Sequence, residues 1–449
     1  VITDTRPRNR AVAASFAGTA IEWYDFFIYS TAAALVFGKH FFPDFDPLVG
    51  TLMAFSTFVV GFVARPIGGV LFGHFGDRLG RKSILVVTLT MMGLCTFVIG
   101  LLPTYAQIGV WAPILLVTVR FVQGLALGGE YGGAVLMAVE HSDPARRGFF
   151  GSWVQVGVPV GLVLSNLIFL LVELLPSDAM EAWGWRVPFL LSAVLVATGL
   201  VIRIRVDESP EFSEVKRNGE VAEAPAKEAV KHSWKPILLC AAAGFTPGTM
   251  FYIAMVFGLS YGTDHVGADR STMLVLTLIS MAVVLPCLLY FGALSDRLGR
   301  KQVFTGGVVG TALAAFPWVL LIDSGSFVLM LLGYILVSIP FSAAYGTLAT
   351  LLAELFPADV RNSAINISYA VSNVFGAGMA PIVATSLLIR TDSGMPIAAY
   401  TVGVCVISFV CLKALRVPGS WTAGRTGPSG PDSGPAAAPA AARQSAREL

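Results

Sequence analysis

Apolar runs long enough to cross a bilayer recur along almost the whole chain, and no other feature narrows the choice of fold as far. A span takes roughly 20 apolar residues. A window of about 19 residues finds about twelve such runs, near 11–37, 50–74, 83–102, 110–139, 149–174, 187–205, 236–261, 272–294, 302–322, 327–353, 363–389 and 397–416. In hydrocarbon each backbone N–H and C=O must be satisfied within its own segment, so every run reads as helix. The expected fold class is all-α integral membrane, with twelve transmembrane helices. With 55% of its 449 residues hydrophobic and 13% charged, the chain is too apolar for a soluble globule of this length. The net charge of +2 lies in short loops rather than on one face, so no nucleic-acid partner is expected. Cys95, Cys240, Cys287, Cys405 and Cys411 all sit in apolar runs without CxxC or histidine spacing, which argues against a metal or a disulfide. No nucleophile elbow, P-loop or cofactor fingerprint occurs, so neither an enzyme nor a built-in ATPase is expected. An ion gradient is left as the energy source.

Residues 1–10 form a polar, basic segment, and the run after it is too long and too acidic for a cleavable signal peptide. The one long polar connection, 206–235, has mixed charge and no apolar periodicity, and reads as a solvated helix or linker between an N-terminal bundle (11–205) and a C-terminal bundle (236–416). Residues 417–449 are rich in Pro, Ala, Gly and Ser and read as a disordered tail. Loops after even-numbered spans carry Arg78, Arg81, Lys82, Arg146, Arg147, Arg297, Arg300, Lys301 and Arg361. Loops after odd-numbered spans carry only Lys39, Arg186, Arg270 and Arg390. The positive-inside rule then places both termini in the cytoplasm.

An internal repeat organises the two halves. Gly73, Asp77, Arg78, Gly80, Arg81 and Lys82 follow span 2, and Gly292, Asp296, Arg297, Gly299, Arg300 and Lys301 follow span 8 at the same spacing. A fainter echo pairs Glu140–Arg147 with Glu354–Arg361. Copies in register imply two six-helix bundles related by an axis along the membrane normal. Basic loops anchor topology, but a topogenic loop needs no acid. Asp77 and Asp296 therefore suit a latch on a neighbouring helix end or basic side chain, with Arg78, Arg81, Arg297 and Arg300 as gating partners.

Span 1 holds Glu22 and Asp25, three residues apart and so on one helix face. A charge at mid-membrane costs at least ~2.5–3.5 kcal/mol, so these acids must face a polar interior, find a cation or take up a proton. Span 4 places Arg120, Gln123, Leu127 and Glu130 in one stripe, with Arg120 at the depth of the span 1 acids. Arg120 is expected to pair with Asp25 in the empty protein, an anionic substrate then competing for the guanidinium while Asp25 takes a proton. Glu22 shares the proton-coupling assignment, and a fixed ion pair holding spans 1 and 4 together is the bland alternative. Glu130 is expected to brace the inner gate against loop cations such as Arg81. Arg65, before Pro66, reads equally well as a structural residue that snorkels or pairs with an acid. Gln155 in span 5, with Pro159, suits a helix lining a cavity. Tyr252, Tyr345, Asn366, Tyr369 and Asn373 suggest a neutral binding wall in the second half, with Arg120 and Gln123 facing it from the first.

The doubled loop, with Gly18–Phe26 in span 1, Ala64–Gly69 in span 2, Arg120–Gly133 in span 4 and Gly184–Phe189 before span 6, resembles the major facilitator superfamily. Within it the chain is similar to bacterial metabolite:proton symporters, the group of shikimate, α-ketoglutarate, citrate and proline/betaine carriers. The resemblance implies a monomer in the bacterial inner (cytoplasmic) membrane that takes up a small polar metabolite, a carboxylate such as shikimate or an α-keto or dicarboxylic acid, together with protons. A zwitterionic osmolyte, or facilitated diffusion without coupling, is the alternative. The coiled coil that ends some osmosensing relatives is absent here, which argues against osmosensing.

Overall fold

The structure, a computed structural model, describes residues 6–44, 47–218 and 225–415. Most of the first ten residues' side chains, part of the linker and the expected tail lie outside the described residues. Among those described, eleven helices are long and apolar enough to cross a membrane. The remaining expected span falls in α1 (Arg6–Ala32), which runs into a π-helical stretch, Ala33–Phe37. It is not among the eleven, because Ser15, Thr19, Glu22 and Asp25 lower its mean hydropathy, and all four are buried.

The other helices of the first half are α2 (Pro47–Leu79), α3 (Arg81–Leu101), α4 (Trp111–Glu140), α5 (Arg147–Glu173) and α6 (Val187–Ile204). A short linker helix, α7 (Pro210–Arg217), precedes the second half. That half consists of α8 (Pro225–Ala243), α9 (Phe245–Tyr252), α10 (Arg270–Leu298), α11 (Arg300–Asp323), α12 (Phe327–Leu355), α13 (Arg361–Ser372), α14 (Met379–Thr391) and α15 (Met395–Ala414). The repeat read in the sequence is also a repeat in backbone. Gly80 and Gly299, at matching places in the two signature loops, take φ of 114° and 100°, a region that favours glycine. Two π-helical stretches, Ile253–Phe257 after α9 and Asn373–Gly378 between α13 and α14, widen the second half beside the central cavity.

Glycines set how closely α2 and α4 cross. A Cβ on Gly128 would run into the Arg65 carbonyl oxygen, one on Gly68 into the Leu125 carbonyl oxygen, and one on Gly124 into the Gly61 carbonyl oxygen. Interlocked backbones leave no room to relax, so Gly128→Val should cost at least the ~1–3 kcal/mol of core overpacking. The expected outcome is a clear fall in the melting temperature of detergent-purified protein; an unchanged one would show that the crossing is looser than this. The same crossing fixes Arg65 on α2 against the arginine-bearing face of α4.

Candidate functional site

A cavity lies between the halves, leaving about 30 Å³ for the centre of a water molecule. Its wall is aromatic: Trp23 from α1, Phe251 and Tyr252 from α9, Phe341 and Tyr345 from α12, and Tyr369 from α13, with Ser372 and Asn373 as polar points. The second half supplies most of it, and Tyr252, Tyr345, Tyr369 and Asn373 are among the residues that sequence reasoning proposed. On the signature-loop side the rings of Tyr131 and Tyr369 stack at 3.5 Å, and Tyr345 and Tyr369 hydroxyls stand 3.4 Å apart. Two proposed residues serve elsewhere. Gln155 donates to the Tyr345 carbonyl oxygen (3.1 Å), and Asn366 accepts from the Gly132 N–H (2.7 Å) while donating to the Gly129 carbonyl oxygen (3.3 Å). Both stitch the halves together outside the lining.

Four charged side chains gather beside this cavity in the first half, and their arrangement differs from expectation. Asp25 and Arg120 form no ion pair within 4.0 Å among the described residues. Arg120 instead lies over the Tyr29 ring, 3.9 Å from its centroid, and donates to Gln123 Oε1 (2.6 Å). Gln123 in turn donates to the Thr96 hydroxyl (2.8 Å). The Thr96 hydroxyl is beside Asp25 but gives its proton to the Met92 carbonyl oxygen, 3.1 Å away. Both Asp25 carboxylate oxygens are buried without a hydrogen-bond partner. Glu22 also makes no ion pair among the described residues and lies in the fields of Glu130, Arg65 and Arg203. Arg65 is buried and forms no ion pair among the described residues; its guanidinium lies over two rings, 4.4 Å from the Phe62 centroid and 5.0 Å from that of Phe26. Its Nε has no hydrogen-bond partner. Phe62 packs edge-on against cavity-lining Tyr252, which places this guanidinium one ring behind the wall.

Glu130 does not reach Arg81. It pairs with Arg203 of α6, both buried. Arg81 pairs with Glu140, ten residues further along α4, because only there does α4 reach the signature-loop end. Arg203 was not singled out from the sequence, although a charge inside an apolar run is a signal in itself.

The signature-loop end is shut by contacts between the halves. Asp77 accepts from the N–H groups of Asn362 (3.1 Å) and Ser363 (2.8 Å) at the start of α13. Asp296 accepts from those of Gly148 (2.8 Å) and Phe149 (3.0 Å) at the start of α5. Each acid thus caps a helix N-terminus in the opposite half, where the orphan N–H groups and the positive dipole end lie. Glu140 pairs with Arg81 and, at 2.8 Å, with Arg361. Glu211 from α7 pairs with Arg361 and, at 2.8 Å, with Arg147. Arg300 pairs with Asp296 and, at 3.2 Å, with Glu354. Part of the linker expected to be solvated is therefore docked: Ser209 and Phe212 are buried, and Ser209 donates to Glu140. Partial burial pushes the Glu211 carboxyl up, but Arg361, Arg147 and Arg81 pull harder and hold it below its ordinary value. A depressed acid stabilises the closed end above its free pKa, and that contribution is lost as pH falls through the lowered value. Arg78 and Arg297, expected as gating partners, are exposed and join no ion pair among the described residues.

Asp296→Ala removes a cap worth about 0.5–2 kcal/mol and one of the two acids that Arg300 pairs with. The closed-to-open ratio should fall by about tenfold per 1.4 kcal/mol lost. Spin labels at Arg78→Cys and Arg297→Cys in a cysteine-free background should report a longer distance population; a distribution identical to the parent would rule out a gating role for the cap.

The sequence matches the Major Facilitator Superfamily over residues 15–381 and again over 252–443. The chain belongs to this superfamily. It is 40% identical over 409 residues to the shikimate transporter of Escherichia coli K12, covering 89% of this chain and 92% of that protein. It is 36% identical to OusA, the glycine betaine/proline/ectoine/pipecolic acid transporter of Dickeya dadantii, covering 91% and 83%. In fold it is similar to the proton:xylose symporter XylE, with a TM-score of 0.76 at 15% identity, covering 92% of this chain and 97% of that one. The chain is thus a multi-pass membrane transporter of bacterial type rather than an enzyme.

Proposed function

We propose that this transporter is a proton symporter that takes up a small carboxylate-bearing metabolite, such as shikimate or an α-keto or dicarboxylic acid, by alternating access. The observation that carries this reading is the juxtaposition of two buried acids that form no ion pair among the described residues, Asp25 and Glu22, with two buried guanidiniums, Arg65 and Arg120, beside the cavity. A carboxylate buried without a hydrogen bond or a contact ion pair is costly, so this packing suits Asp25 in its protonated form. The guanidiniums then face a substrate carboxylate, which Arg binds bidentately. Loss of the proton inward makes Asp25 an anion again, and it competes for Arg120 as the substrate leaves. In this reading α1 is the twelfth span, the signature-loop end and both termini lie in the cytoplasm, and a monomer works in the inner membrane. The shut signature-loop end then corresponds to the state before release.

The six rings of the cavity favour a second reading, a zwitterion such as proline or glycine betaine, whose ammonium would rest against aromatic faces. Counterflow of labelled shikimate, α-ketoglutarate, citrate, proline and glycine betaine in proteoliposomes separates the two. Exchange of a carboxylate supports the first reading and exchange of glycine betaine alone the second. Uptake indifferent to a protonophore would replace both with facilitated diffusion.

A further inference from the structure

Glu130 and Arg203 lie outside the cavity and outside the gate, and they are joined to both ends of the first bundle. On α1, Ser15, Gly18 and Glu22 recur at i, i+3 and i+7 and so share one face, spanning about 10 Å along the axis. The Arg203 guanidinium lies against the middle of that face: any Cβ on Gly18 would overlap it. One Nη donates to the Leu85 carbonyl oxygen of α3 (2.6 Å) and the other pairs with Glu130 of α4. Toward the cavity, Glu22 lies in the fields of both Glu130 and Arg203. Toward the signature-loop end, Arg203 and Ser15 line a small void with Lys82, Leu85, Met137 and Val206, which has room for the centre of about one water. Lys82 reaches the surface there, its ammonium donating to the Ile204 carbonyl oxygen (2.8 Å).

A static ion pair in a packed bundle satisfies its polar atoms, and this one does not. Glu130 Oε2, Arg203 Nε and Ser15 Oγ are each buried without a hydrogen-bond partner. Arg203 and Ser15, with Nε and hydroxyl to spare, border the water-sized void, and Glu130 Oε2 is a spare acceptor on the residue that Arg203 pairs with; together they are the parts of a proton wire.

We propose that Glu130, held by Arg203, relays the coupling proton, passed from Asp25 to Glu22 on α1, through the interior of the first bundle to the Ser15 void and out past Lys82, separately from the substrate route between the bundles. The inference rests on the proton-symport reading. In the transfer, neutral Glu22 gives its proton to the Glu130 carboxylate, leaving Glu22 an anion and loosening Glu130 from Arg203. Glu130 then gives the proton to a water that passes Arg203 from the void, and pairs with Arg203 again. Arg203 from α6 pairs with Glu130, which lies in the fields of Glu22 and Asp25 from α1; Arg65 from α2 acts on Glu22, α3 offers the Leu85 carbonyl to Arg203, and α5 carries charge only at its two ends, Arg147 and Glu173.

The test needs no substrate. Infrared difference spectra of the reconstituted full chain between alkaline and acid pH should show protonated-carboxyl C=O bands. Glu130→Gln should remove one of them. Ser15→Val, which fills the void, should slow hydrogen–deuterium exchange of that band and decides the matter if Glu130→Gln does not fold. A structural ion pair never takes a proton and shows neither effect. Bands lost in Asp25→Asn but untouched by Glu130→Gln, or exchange unaffected by Ser15→Val, overturn the relay and leave symport standing. Spectra without any protonated carboxyl sink symport and relay together.

Discussion

Asp25→Asn should leave solute exchange across proteoliposomes near the parent rate while abolishing accumulation against a gradient. A proton entering with each solute molecule supplies about 1.36 kcal/mol per unit of pH difference, or about tenfold accumulation. A membrane potential of about 100 mV adds ~2.3 kcal/mol per net charge moved, which is one for a zwitterion carried with one proton and none for a monocarboxylate anion. An amide has the shape of the protonated acid but cannot release a proton, so the ratio of internal to external solute should fall to about one under the same gradients. Folding should survive, because Asp25 gives up no hydrogen bond in this packing and forms no ion pair among the described residues. Exchange and accumulation measured on one preparation separate loss of coupling from loss of protein. Full accumulation by the Asn variant would remove Asp25 from the coupling step.

Much of this architecture was legible because the bilayer imposes one rule on every span, and because the doubled loop announces the repeat. Asp77 and Asp296 stood out since a basic loop has no electrostatic need of an acid. The pairing of charges was less legible. Helical periodicity places Arg120 and Asp25 at one depth, but it is silent on χ angles, and the guanidinium finds the Tyr29 face and Gln123 before it finds the acid. Glu130 was assigned to Arg81 because both are near the inner end. Yet α4 runs on for ten more residues, so Glu140 meets Arg81 and Glu130 meets Arg203. The docking of Ser209 and Phe212 was hidden because a linker with mixed charge looks solvated whether or not its acids have partners across the gate. Trp23 and Phe341 escaped notice as cavity residues for a related reason: an aromatic in an apolar run carries no mark of which way it faces.

Arg65→Gln should weaken uptake by about 2–5 kcal/mol, the cost of removing one member of a buried charge pair, which is roughly thirtyfold to several-thousandfold in apparent affinity. Arg65→Lys should recover only part of this, since an ammonium is a point charge without the fork that grips two carboxylate oxygens. The decisive feature is the sign of the accompanying change in stability. Arg65 is buried beside the Phe62 and Phe26 rings and makes no hydrogen bond or ion pair among the described residues. Ring contacts return about 0.5–2 kcal/mol, less than the several kcal/mol that desolvating an ion costs. A residue kept for packing loses stability when truncated, whereas a charge kept waiting for a substrate carboxylate strains the empty protein. Melting temperatures measured without solute should therefore hold or rise in Arg65→Gln while affinity collapses. Normal uptake together with a lower melting temperature would make Arg65 a structural residue and leave Arg120 as the sole anchor for an anion.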